Sequence, residues 1–97
     1  MSQQNYEAIG RCKVLKERIE RLETLRGQAI SDMRAYMQSL GGNIKGTIYQ
    51  FDPGKGHCLL KAVESADADL ISAVDEYNRW APNAGERPYA LYEPDEQ

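Results

Sequence analysis

Apolar residues recur along the first part of the chain at spacings that alternate three and four. With Cys12 as the first position of a heptad, the series runs Cys12, Leu15, Ile19, Leu22, Arg26, Ala29, Met33, Tyr36 and Leu40. Eight of these nine positions suit a core, and the alternation never slips, which marks a coiled-coil-like seam. The pattern predicts one helix over residues 5–40, about 54 Å long. Asn5 suits the N-cap and Glu7 the first turn. Glu17, four residues before Arg21, supports the exposed face. Gly41 and Gly42 suit a left-handed C-cap. Gly27 is a weak point, costing about 1 kcal/mol relative to alanine.

A second seam runs Leu59, Val63, Ala66, Leu70, Ala73, Tyr77, Trp80, with Leu60, Ile71 and Val74 in a flanking row. It predicts a helix over residues 57–81, ended by Pro82. Ser65, followed by Asp67, offers a later start, but the seam continues upstream of it.

Between the helices, Thr47, Ile48, Tyr49, Gln50 and Phe51 fit a short strand or an extended strap. A strand there would need a partner, either Cys58, Leu59 and Leu60 or the C-terminal tail. Asp52, Pro53, Gly54 and Lys55 read as a turn. The tail over residues 82–97 is punctuated by Gly85, Pro88 and Pro94. It carries an apolar patch of Tyr89, Leu91 and Tyr92 and ends in Glu93, Asp95 and Glu96.

These elements predict a mainly α chain. It is an antiparallel hairpin of two long helices, with a short extended or β-like connection and an irregular tail, forming a single small domain over residues 1–97. If Leu40 faces about Leu59, Arg26 faces about Ala73. The charged seam residue then finds Asp69 and Glu76 as candidate partners, an ion pair that fixes register more than it adds stability. In that register residues before about Arg18 lie beyond the second helix. Ile9, Cys12 and Leu15 would then need other cover.

Charge modifies the picture in two ways. The net charge of −3 argues against a generally basic nucleic-acid binder. Its distribution is uneven: +2 over residues 1–40, +1 over 41–60 and −6 over 61–97. Blocks of opposite sign can attract within the fold or form separate contact surfaces. Residues 1–10 show neither a basic start nor an apolar run, and no stretch has the length of a membrane span. The expected location is therefore cytoplasmic, with no membrane partner.

Candidate chemistry is sparse. Lys55 between Gly54 and Gly56 lacks the spacing and hydroxyl of a phosphate loop. His57 with Cys12 and Cys58 cannot supply four zinc ligands in paired spacing. The two thiols lie toward opposite ends of the hairpin, too far apart for a disulfide. The acids Glu64, Asp67, Asp69, Asp75 and Glu76 spread around a helix, unlike a calcium loop. The bases Arg11, Lys13, Lys16, Arg18 and Arg21 have acids among them and no interleaved aromatics, a weak nucleic-acid signal. No catalytic residue, metal or cofactor is expected.

In size and character the chain resembles small phage-encoded or mobile-element accessory proteins, which often bind and inhibit a host complex. That resemblance implies a non-enzymatic protein that binds and modulates a larger assembly. One alternative is a homodimer or higher homo-oligomer, with hairpins pairing into a four-helix bundle; another is a nucleic-acid accessory protein. The candidate contact surface gathers Tyr6, Ile9, Arg11 and Lys13 with Tyr89, Leu91 and Tyr92 at the open end of the hairpin; the alternative is that the tail folds back and these residues close a small local core.

Overall fold

The computed structural model describes residues 5–42 and 44–92. Two helices pack against each other along their length: α1, Tyr6–Ser39, and α2, Pro53–Ala84. The result is an elongated hairpin, 73 × 30 × 20 Å. Among the described residues no strand forms, and residues 47–52 run as an irregular strap.

The heptad reading of α1 holds at side-chain level. Every residue of the helix that is not exposed is Ala8 or a seam position from Cys12 to Tyr36. Asn5 caps the helix, its side-chain oxygen accepting from the Ala8 N–H at 3.0 Å.

α2 differs from expectation at both ends. Asp52 and Pro53 do not make a turn; they start the helix. The Asp52 carboxylate accepts from the Lys55 N–H, and Pro53 occupies the first turn, where its missing N–H costs nothing. Gly56 is placed so that the Phe51 ring lies against the helix backbone, where a Cβ would overlap it. At the far end Pro82 does not stop the helix. It sits exposed in the last turn, while Ala81 is fully buried and Ala84 packs on the core, so the chain gains by staying helical for three residues beyond Ala81. Gly85, at φ 72°, then closes the helix. The Glu86 N–H donates to the Ala81 carbonyl and the Gly85 N–H to that of Pro82, as in a Schellman motif.

The earlier start and later end of α2 change the register. Arg26 faces Asp67, not Ala73, at 2.8 Å. The expected partners Asp69 and Glu76 therefore do not hold it. The same six-residue shift sets Met33 and Tyr36 beside His57, Leu59 and Leu60, so Leu40 no longer faces Leu59. It also brings α2 alongside the start of α1. Cys12 and Leu15, expected to lie beyond the second helix, are buried by it, and only Ile9 of that group stays exposed.

The core sits at this free end of the hairpin. Cys12, Leu15 and Ile19 interlock with Leu70, Ala73, Val74, Tyr77 and Ala81, and Leu22, Trp80, Ala84 and Tyr89 close its edges.

Candidate functional site

The tail is part of the fold as far as Tyr89. Asn78 binds the Tyr89 backbone on both sides: the Tyr89 N–H donates to its Oδ1 at 2.8 Å, and its Nδ2 donates to the Tyr89 carbonyl at 3.0 Å. A side-chain amide here does what a neighbouring strand would do. The Tyr89 ring meets Tyr77 edge-on at 5.0 Å, and Glu86 pairs with Lys16 at 3.7 Å. Burial pushes the Tyr77 hydroxyl up, with Lys16 opposing, and the facing Tyr77 and Glu86 charges raise Lys16. Burial first, then Glu86, raises the Cys12 thiol against the pull of Lys16, so it stays protonated at neutral pH.

The candidate contact residues consequently divide between two flanks. Tyr6 and Arg11 line a shallow recess with Val14, Arg18 and Glu76 on one side. Arg11 is held there by Glu7 at 3.3 Å and by the Trp80 face at 4.8 Å. Tyr89, Leu91 and Tyr92 lie on the opposite flank, over Ile19, Glu23, Leu70 and Ile71. Ile9, seven residues before Lys16, shares that flank, and Lys13 is exposed. Tyr89 belongs to the core edge and is not a free anchor. Tyr92, 86% exposed, is the one tail aromatic left uncovered.

The apolar opening lies at the other end of the molecule. Met33, Tyr36 and Met37 of α1 face Leu59 and Leu60 of α2 across a recess of about 220 Å³, with Phe51 and His57 at its edge. Tyr36 organises it: its hydroxyl accepts from the Asp52 N–H at 2.8 Å, its ring meets the Phe51 ring at a 44° tilt with centroids 5.9 Å apart, and Lys55 lies 5.0 Å above it. These contacts pin the strap over the end of the hairpin. Gly42, at φ 59°, leaves room for the Tyr49 ring where a side chain would collide. Ile48 of the strap and Ile44 before it turn outward, 87% and 63% exposed.

Among the described residues no hydrogen bond or ion pair orients His57 at the edge of the recess. Proton transfer needs such an orienting partner. Among the described residues no three His, Cys, Asp or Glu side chains converge as metal ligands. Nor is any described helix long and apolar enough to cross a membrane. The arrangement offers an apolar recess that can receive apolar side chains.

Sequence reasoning missed Asn78, Asp67 and this recess. Asn78 carried no signal, because a polar residue beside a seam reads as solvated. The recess had one: Ile30 and Met37, seven apart, form a row beside the α1 seam like Leu60 and Ile71 beside that of α2.

No known family model, no curated protein and no solved structure matches the chain. The fold and recess define a helical hairpin with one end sealed by its own tail and the other left apolar.

Proposed function

We propose that the protein acts by docking onto another protein through its loop end, modulating a larger assembly and catalysing nothing itself. One observation carries this reading. Of the thirteen large apolar side chains exposed among the described residues, Met37, Ile44, Ile48, Tyr49, Phe51 and Leu60 all cluster there. Concentrated apolar and aromatic exposure is costly on a monomer and is what protein interfaces use as anchors. The basic face of α1 is a weaker candidate for nucleic acid. Arg11 is engaged by Glu7 and Trp80, and Lys16 by Glu86.

The test places a photo-crosslinking residue at Ile48 and, separately, at Val14 on the far end of α1. A protein adduct from Ile48 and none from Val14 is expected. Equal labelling from both, or none from Ile48, would sink the loop end as the docking surface.

A further inference from the structure

We propose that the flank of the loop end carrying Ile30, Met37 and Leu60 takes a second copy of this chain, so that two hairpins meet as a four-helix layer. The inference rests on reading the loop end as a docking surface, and it leaves the strap tip around Ile48 for a different protein. The first argument is area. The chain exposes 7749 Å², whereas a compact monomer of 11.0 kDa exposes about 5600 Å². The surplus of roughly 2000 Å² is spread over the elongated hairpin and its open flanks. A stable interface takes about 800 Å² from each partner.

The second argument is position. Ile30, Met37 and Leu60 are 37%, 52% and 40% exposed. Their row continues the flank that the tail covers at the free end: Glu23, Ile30 and Met37 are seven apart, and Leu60 lies three turns before Ile71. The tail is described on this flank as far as Tyr92, beside Arg26 and Ile71. Beyond the Arg26–Asp67 pair the seam residues Met33 and Leu59 are only half-buried. The opposite flank at the same level carries Asp32, Ser39, Ala62 and Asp69, too polar to compete.

The third argument is charge. Arg34 and Glu64 edge this flank from α1 and α2, and among the described residues neither is in an ion pair. In a two-fold contact each residue of one copy meets the reciprocal residue of the other, so Arg34 can meet Glu64 twice. A surface that carries both signs on its own rim is complementary to itself.

The test is the mass of the full chain by sedimentation equilibrium, from about 1 to 100 µM, the range over which weak dimers assemble. Twice 11.0 kDa is expected at the upper end. Met37→Asp with Leu60→Asp should weaken association at least about tenfold, with the circular dichroism spectrum still helical; Val14→Asp should change nothing. Should the double variant fail to fold, charge reversal still decides. Arg34→Glu should weaken the dimer, and adding Glu64→Arg should restore it. A mass of 11.0 kDa throughout, or a dimer indifferent to the flank and charge variants, overturns the second copy as occupant. Crosslinking from Ile48 is read separately: its presence with a monomeric mass keeps the docking reading and removes the dimer. A flank-dependent dimer without any Ile48 adduct does the reverse.

Discussion

At the free end of the hairpin the seam residues Cys12, Leu15, Ile19, Leu70, Ala73 and Tyr77 are buried, whereas at the loop end Met33, Tyr36, Leu59 and Val63 are only half-buried. Both ends are built from the same alternation of three and four. The difference is a third layer. Two helices cover the line along which they touch and leave their flanks open. At the free end Tyr89, clamped by Asn78, fills a flank and completes the core. At the loop end the strap reaches Tyr36 but leaves Met37 and Leu60 bare. A heptad pattern therefore specifies contact between helices, while depth of burial is decided by whatever lies beside them.

The largest expected effect tests that contrast directly. Tyr77 is 1% exposed and the largest fully buried side chain among the described residues. Tyr77→Ala should cost about 3–5 kcal/mol, from lost burial plus the cavity. Leu60→Ala, at a residue 40% exposed, should cost about 1 kcal/mol or less. Urea unfolding of the two variants, measured at a concentration that keeps the chain monomeric, gives the comparison. Equal costs would mean that the two ends are packed alike.

Next comes the clamp. Asn78→Ala removes both hydrogen bonds that hold the Tyr89 backbone and should cost about 1–3 kcal/mol, since a half-buried donor and acceptor lose their partner. Hydrogen exchange should speed at the Tyr89 amide while the α1 and α2 amides nearest the loop stay protected. Loss of protection along the whole hairpin would instead make the tail a determinant of the entire fold.

The Tyr77–Lys16 contact gives the free end a pH dependence. Both groups have their folded values raised, Tyr77 chiefly by burial and Lys16 first by the Tyr77 charge. A proton held more tightly in the folded state stabilises it fully below the unfolded value. That stabilisation disappears as pH climbs past it. The melting temperature should accordingly hold level from about pH 7 to 8, begin to fall at about pH 9 where the raised Cys12 thiol adds its own share, and fall more steeply above about pH 10. Tyr77→Phe should make the fall shallower; an unaltered fall would place its origin elsewhere.

Much of this was legible in the sequence. The seam fixed which residues of α1 and α2 meet the partner helix, because core periodicity is local and dense. Register was not legible, for a specific reason. It was set by assuming α2 began at His57, but Asp52 and Pro53 combine an N-cap with the favoured first-turn residue. Read as a turn, they moved the start by four residues and carried the facing residues with it. Pro82 misled in the same way at the other end, where burial of Ala81 and Ala84 outweighs the missing N–H. The contact surface expected at the open end depends on that register; of the tail's two readings, folding back or docking elsewhere, the first holds at Tyr89, which closes the core. The apolar loop end lay outside that reading because the strap's fold depends on Gly42 and Gly56 admitting Tyr49 and Phe51, a long-range fit with no local signature.

The smallest expected effect concerns the boundary between the two ends. Arg26 and Asp67 meet at 2.8 Å, but their side chains are 39% and 49% exposed. Solvent screens a pair this open, and ordering two side chains offsets part of the attraction, so its coupling should be about 0.2–1 kcal/mol. A double-mutant cycle with Arg26→Ala and Asp67→Ala, read by urea unfolding at low and high salt, measures it. A shrinking coupling at high salt is expected, because an exposed pair is reached by counterions. A coupling above about 2 kcal/mol that ignores salt would mean that the pair is covered in solution. Its flank would then carry a further layer at that level, and the contrast between a three-layered and a two-layered end would no longer hold there. A coupling near zero together with unchanged melting would leave Arg26 as a register mark only, a charge in an apolar seam that excludes other alignments without adding to the stability of this one.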